Sequence, residues 1–295
     1  MIENRIVQED IAAIIGCGLD FAALRGKVFL VTGASGMIGK MIVKVLEHIG
    51  ADVITVHGKD AAKNIFGAIE YIDYIIHAAS PSTPKQVSVD YLSTIDANVA
   101  ATRNLLELAK KYSAKLLLIS SGSVYGNPIV SEEVDESSYG YIDIGNINSV
   151  YAESKRLAEV LALCFAVQFN TEVYIARLSS VFGPGIDLQS GGVHADFLKN
   201  ALDGKDITIK SDGLAKRSFI YLSDAVSGIF YILLKGERSR AYNVANPREY
   251  KSIRSLAFAV QSAAEKLLSK TLNVTYADTN TNNTLSGSHY QKGAI

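Results

Sequence analysis

Along the chain, short and nearly continuous apolar runs alternate with longer stretches in which apolar residues recur at helical spacing. The runs "KVFLVTG" (27–33), "ADVITVH" (51–57), "IDYIIHA" (72–78), "KLLLISS" (115–121) and "TEVYIAR" (171–177) predict strands buried on both faces. Between them, "MIGKMIVKVLEHIG" (37–50), "TIDANVAATRNLLELAKKY" (94–112) and "YAESKRLAEVLALCFAVQF" (151–169) predict helices, the first closed by Gly50. Ahead of the first strand, Ile11, Ile14, Ile15 and Leu19 mark a helical arm over residues 1–25. After "FGPG" (182–185) the alternation loosens into a helix near 193–203, a short strand "ITIK", the segment "KRSFIYLSDA" and a helix running to about 236.

Strand and helix in alternation predict an α/β protein whose parallel sheet is covered on both faces. Right-handed crossovers then wind it as a Rossmann-type doubly wound sheet. The expected organisation is a dinucleotide-binding unit over 26–180, with 216–237 returning to it, and a smaller C-terminal substrate lobe from 181–215 and 238–295. The last twenty or so residues, "YADTNTNNTLSGSHYQKGAI", are polar and are expected to be mobile.

With 295 residues, 48% of them hydrophobic, there is material for one large core and an appended lobe. Lys+Arg number 29 against Asp+Glu 30, so no electrostatic footprint for a nucleic-acid backbone or an acidic membrane surface is expected. Cys17 and Cys164 have neither a CxxC nor a Cys/His spacing, which argues against a disulfide framework and against a metal site, and fits a cytoplasmic setting. The opening "MIENRIVQED" lacks the basic and apolar regions of a signal peptide, and no apolar run approaches the roughly 20 residues of a spanning helix. His48 and His77 have no partner at ligand spacing and are read as structural.

Chemistry enters at "VTGASGMIG", where Gly33, Gly36 and Gly39 stand between the first strand and the first helix. A tight turn needs Gly33, close approach of a pyrophosphate needs Gly36, and helix-on-strand packing needs Gly39, while the helix N-terminus offers free N–H groups to an anion. An acid at the end of the second strand would report NAD through its adenine ribose. His57 stands there instead, and with Lys59 it leans toward the 2′-phosphate of NADP without deciding between the two.

"YAESK" places Tyr151 and Lys155 four residues apart on one helix face. A free tyrosine titrates near 10, so proton transfer at neutral pH needs a neighbouring positive charge, which Lys155 would supply. Ser121 closes the strand "KLLLISS", and the carboxyl ends of such strands are where doubly wound sheets hold ligands. A hydroxyl there can orient a reacting oxygen.

The chain resembles the extended short-chain dehydrogenase/reductase family, the NAD-dependent epimerases and dehydratases that act on nucleotide sugars. The likeness runs over most of residues 26–260 and rests on "TGASGMIG", "HAAS" (77–80), Asn98, "SSGSVYG" (120–126), "YAESK", "FGPG" and "RSFIYLSDA" (217–225). The resemblance implies a catalytic triad of Ser121, Tyr151 and Lys155. It implies a tightly held NAD or NADP on Gly33, Ser35, Gly36, Met37, Ile38, Gly39, His57, Ala78, Ala79, Ser80, Asn98, Tyr151, Lys155 and Val181. A nucleotide-diphosphate sugar would be met by Ser82, Ser123, Asn148, Ser180, His194 and Arg217, the last as a diphosphate ligand. Similar enzymes dimerise through helices matching 94–112 and 151–169, which implies a homodimer.

Within that family the chain looks most like the UDP-glucuronate decarboxylase branch and its dTDP-glucose 4,6-dehydratase neighbours, and it departs from both. Gly122 and Ser123 replace the acidic pair of the dehydratases, and Ser123 replaces the glutamate of the decarboxylases. Asn148 and Gly192 stand where arginines are usual, and Ser180 where an asparagine is usual. Losing two arginines disfavours an anionic uronate, because bidentate guanidinium pairing is the usual way to hold a carboxylate. The chain also ends before the C-terminal strand and helix that complete the substrate lobe, which implies a smaller pocket, a truncated piece or a borrowed partner surface. The leading expectation is hydride transfer at sugar C4, as a 4-epimerase or 4-ketoreductase. A decarboxylase or 4,6-dehydratase is the second, and a non-catalytic dinucleotide-binding scaffold the third.

Overall fold

The computed structural model describes residues 2–67, 69–81, 83–128, 133–277 and 290–291. The chain enters through helix α1 (Ile2–Ile15) and a 3₁₀ turn (Phe21–Leu24). Strand β1 (Val28–Thr32), helix α2 (Met37–Ile49), β2 (Asp52–Val56) and β3 (Tyr74–His77) follow, then helix α3 (Ala101–Tyr112), β4 (Lys115–Ser121), α4 (Val150–Phe169) and β5 (Val173–Leu178). Every one of the five expected strands and three expected helices forms; the inner strands have mostly buried positions, the edge strand β2 is only partly buried, and each helix has an apolar stripe to place on the sheet. The sheet has six parallel strands in the order β9-β5-β4-β3-β1-β2, where β9 is Arg240–Val244. It is a doubly wound Rossmann-like α/β fold.

The order of strands reverses direction between β1 and β3, which creates a crevice at their carboxyl ends. One face of the sheet carries Phe29, Val31, Ile76 and Ile119 against α2 and α6 (Leu222–Lys235), together with Ile11, Ile14, Phe21 and Leu24. The N-terminal arm is therefore part of the main core. The other face carries Leu30, Ile75, Leu116 and Leu118 against α3 and α4.

Strand β9 corrects the expected boundary at 238, since it pairs with β5 in the main sheet. Its sequence "RAYNV" hides it: Arg240 is exposed, and Asn243 is polar yet fully buried. The smaller lobe takes β6 (Ser180–Phe182), α5 (Val193–Asp203), β7 (Ile207–Ile209), β8 (Lys216–Tyr221), β10 (Tyr250–Ser252), α7 (Ile253–Leu268) and β11 (Val274–Tyr276). Strand β8 lies between β6 and β10 in a separate three-stranded sheet, and Phe197, Ile207, Ile209, Ala257 and Val260 form the lobe's own core. Most of the tail expected to be mobile lies outside the described residues.

Candidate active site

Strand β4 is buried along its length and delivers Ser121 to the sheet's carboxyl edge. There the Ser121 hydroxyl caps a 3₁₀ turn (Gly122–Tyr125) by accepting from the Ser123 N–H at 3.2 Å. Helix α4 starts beside this turn, with Tyr151 in its first turn and Lys155 in its second. Tyr151 and Ser121 line the same crevice. Lys155 is 3% exposed and donates to the Ile119 carbonyl at 2.8 Å.

These three residues wall a crevice of about 760 Å³, within the range of small-molecule and cofactor sites. Ser35, Gly36, Met37 and Ile38 line it from the β1–α2 loop, Ala78 and Ser80 from the end of β3, and Val181 from β6. Ser123, Ser180, His194 and Arg217 line it as well. Asp187 is the one carboxylate among the described lining residues.

Two of the glycines are demanded by backbone contacts. Gly33 sits at φ +75°, and a Cβ there would lie 2.6 Å from the Ala79 nitrogen. At Gly39 a Cβ would lie 2.1 Å from the Gly33 carbonyl oxygen, so helix α2 packs on the loop with no room for a side chain. Gly36 is the N-cap of α2, and the first helical turn carries no acid, which leaves its N–H groups and positive dipole end free to meet an anion.

Other expected residues lie elsewhere. Asn98 is 1% exposed and turned into the protein: its amide donates to Ser154 Oγ at 2.9 Å and accepts from Ser80 Oγ at 2.7 Å. It is not among the described residues that line the crevice. A π-helical turn (Asp96–Ala100) inside the expected 94–112 helix aims this amide. Ala79 is buried, with its N–H donating to Thr32 Oγ1. His57 is exposed at the end of β2, and Asn148 is exposed before α4; neither walls the crevice. Ser82 lies outside the described residues.

Electrostatics in the site follow burial. Burial pushes the Tyr151 phenol above its ordinary value. Burial lowers the Lys155 ammonium to about 8, opposed by the Glu159 carboxylate one turn along α4. Lys155 is absent from the groups acting on Tyr151, so its expected effect on the phenol is not present in this arrangement. Burial also lowers His194 and Arg217.

Behind the wall runs a buried polar network absent from the sequence reading. Glu159 accepts from Ser120 Oγ at 2.5 Å and receives Arg177 bidentately, Nη2 at 2.7 Å and Nε at 3.1 and 3.2 Å. Arg177 continues to Tyr125 Oη, which donates to Asn243 on β9. The available signal was spacing: Glu159 follows Lys155 by four, on the face that packs on the sheet. His77 is structural, as read. The Ala97 carbonyl can only accept, so Nε2 carries the proton, and the bare Nδ1 accepts from Thr32 at 2.7 Å. Burial, with the Lys155 charge adding to it, lowers this imidazole to about 3.

With that geometry in place, comparison with known proteins is direct. The model of the NAD dependent epimerase/dehydratase family matches residues 29–245. The chain is 34% identical over 241 residues to UDP-glucuronic acid decarboxylase 6 of Arabidopsis thaliana, covering 75% of this chain and 70% of that protein. Among solved structures, UDP-glucose 4-epimerase of Thermotoga maritima with UDP-glucose superposes with a TM-score of 0.77 at 19% identity, covering 90% of each chain. The dTDP-glucose 4,6-dehydratase of Bacillus anthracis in complex with NAD superposes with a TM-score of 0.70 at 21% identity, covering 90% of this chain and 88% of that one.

Proposed function

The chain belongs to the NAD dependent epimerase/dehydratase family, and we propose that it transfers hydride at C4 of a nucleotide-linked sugar, as a 4-epimerase or 4-ketoreductase. One observation carries the reading: Ser121, Tyr151 and the buried Lys155 line one crevice at the carboxyl ends of a doubly wound sheet. The chain's own residues fit a dinucleotide. Gly33 and Gly39 permit the tight loop, Gly36 leaves the start of α2 open, and the N–H groups there suit a pyrophosphate. Bound nicotinamide supplies the hydride acceptor and donor.

In this reading Ser121 holds the sugar C4 oxygen, Tyr151 exchanges a proton with it, and Lys155 would hold the nicotinamide ribose. Arg217, with its charge in a half-buried position, meets the diphosphate. Gly122 and Ser123 put no carboxyl next to Ser121, which argues for redox alone over elimination or decarboxylation. Favouring the second reading, a UDP-glucuronate decarboxylase, is the 34% identity to a plant enzyme of that name.

The same proposal includes a homodimer and a cytoplasmic setting. Leu157, Val160, Leu163 and Val167 are exposed along the outer side of α4, an apolar face suited to a second copy. Cys17 and Cys164 are free and exposed, which suits a reducing compartment.

The test is mass spectrometry of small molecules released from the purified protein, joined to turnover of a panel of nucleotide sugars. We expect a nicotinamide dinucleotide, 4-epimer or 4-keto interconversion without loss of carbon dioxide, and a fall of orders of magnitude in Tyr151→Phe with dinucleotide binding retained. Release of carbon dioxide from UDP-glucuronate would establish the second reading. Dinucleotide binding without any conversion would reduce the protein to a scaffold.

A further inference from the structure

Ser121 ends β4 and Tyr151 lies in the first turn of α4, far apart in the chain, so no local geometry sets how the two stand to each other. What α4 lays on the sheet is mostly small: Ala158 and Ala162 are fully buried there, with Phe165 after them. Apolar burial is non-directional, and a face of alanines resists sliding along a strand only weakly. Directional contacts have to supply the register of the helix on the strand.

Three such contacts bracket Ser121. Before it, the Ile119 carbonyl accepts from Lys155 Nζ at 2.8 Å, and the Ser120 hydroxyl donates to Glu159 Oε1 at 2.5 Å. After it, the Val124 carbonyl accepts from Arg156 Nε at 2.7 Å, and the same guanidinium reaches the Gly140 carbonyl through Nη2 at 2.8 Å. All three partners stand on α4, in about the two turns that follow Tyr151. The Ser120 contact is the most constrained of them. Ser120 is 3% and Glu159 7% exposed, and Arg177 on β5 donates to both Glu159 oxygens, so the carboxylate stands as an acceptor for Ser120. A hydrogen bond to a charged acceptor is short and about twice as strong as a neutral one. Along β4, Leu116 and Leu118 face α4 and Ser120 continues that face, whereas Ser121 ends the strand at the crevice.

We propose that Ser120 is a positioning residue: its hydrogen bond to Glu159 fixes the register of α4 on β4 and so holds Tyr151 at a set place relative to Ser121. Arg156 acts from the far side by tying down the turn that follows Ser121. Neither group exchanges a proton with substrate, and the Ser120 hydroxyl is spent on Glu159. The effect on chemistry comes from distance. Proton transfer needs its heavy atoms within hydrogen-bond reach, and a displacement of about 1 Å costs on the order of a hundredfold in rate.

The inference rests on Ser121 and Tyr151 as the reacting pair of the proposed function, and its test has one arm with substrate and one without. Ser120→Ala removes a single oxygen and leaves Glu159 paired with Arg177, so the fold is expected to persist by circular dichroism. With a nucleotide sugar that the parent turns over, kcat is expected to fall roughly 10- to 100-fold, while KM and the calorimetric Kd for NAD⁺ stay within about twofold. Ser120→Cys fills the same space with a weaker donor and is expected to fall between the parent and the alanine variant. Arg156→Met, which removes the tie to Val124, is expected to lower kcat in the same way. A kcat of Ser120→Ala within about twofold of the parent, or a loss confined to KM, overturns the proposal. So does a lowered urea midpoint with kcat unchanged, the mark of a merely structural role. The second arm compares crystal structures of the parent and Ser120→Ala, each with NAD⁺ bound. Tyr151 is expected to move relative to Ser121 by at least about 0.5 Å, the tolerance of a working site, and an unmoved pair overturns the proposal without any substrate. Failure of every nucleotide sugar to turn over would sink the proposed function and leave this second arm to decide the register.

Discussion

Replacing Glu159 by glutamine probes the network that supports the catalytic helix from behind. The carboxylate and the Arg177 guanidinium have side-chain exposures of 9% and 12%, meet at 2.7 Å, and share three hydrogen bonds. Glutamine is nearly the same shape but carries no charge, and it turns an NH₂ toward donors. Breaking one side of a buried ion pair costs about 3–5 kcal/mol, because the surviving charge is left without its partner. Arg177 keeps the Tyr125 hydroxyl and the Glu136 carbonyl, each at 3.0 Å, so the lower end, about 3 kcal/mol, is expected. That is on the order of a hundredfold in the folding equilibrium, and it leaves a typical domain folded. Urea unfolding followed by circular dichroism reads it. Arg177→Met in the same chain removes the stranded charge, and the double variant is expected to lose less than the sum of the two single ones. A loss below about 1 kcal/mol for Glu159→Gln, as for an exposed pair, would refute the assignment of a buried, interdependent pair.

His77 makes stability depend on acid. Its folded pKa of about 3 lies below the ordinary 6.5, so its contribution is complete above 6.5 and is lost as pH falls toward 3. The urea midpoint should fall more steeply between pH 7 and 4 in the parent than in His77→Gln, and equal slopes would contradict this. Lys155 works at the other end. Its folded value of about 8 lies below 10.5, so its contribution is present above 10.5 and is lost as pH falls through 8, and Lys155→Met should flatten the rise in stability between pH 8 and 10. Gly39→Ala forces a Cβ to 2.1 Å from a backbone oxygen, so the α2 loop must shift and dinucleotide affinity by calorimetry should drop at least tenfold, about 1.4 kcal/mol. Val160→Asp on the exposed side of α4 should convert a dimer to monomer in sedimentation, with the fold retained by circular dichroism.

How much of this was legible beforehand varied with the kind of signal. The six-strand sheet was readable for five of its strands, four of them inner strands that are apolar because they are buried on both faces, and the edge strand β2 through its run of β-branched residues. Strand β9 was not, because its buried Asn243 is matched by Tyr125 and Glu136, partners more than a hundred residues away. Helix α7 escaped as well: its buried positions Ile253, Ala257, Val260 and Ala264 include two alanines, a weak apolar stripe. Ser121, Tyr151 and Lys155 could be named because spacing four on a helix and a strand's last residue are local facts. The hydrogen bonds of Asn98 to Ser80 and Ser154 were not legible, because they depend on a π-helical turn that spacing alone does not show.

By itself the sequence determined the periodicities, hence the doubly wound sheet, the glycine loop at its carboxyl edge and the residue types that reach that edge. Only the tertiary structure decided that Ser121, Tyr151 and Lys155 share one crevice, and that Glu159 neutralises Arg177 and offsets the burial of Lys155. The physical reason is range. Strand and helix patterns are set by neighbours a few residues apart, while burial, charge pairing and the direction of a hydrogen bond are set by groups that meet only when β3, β4, α4 and β5 are packed together.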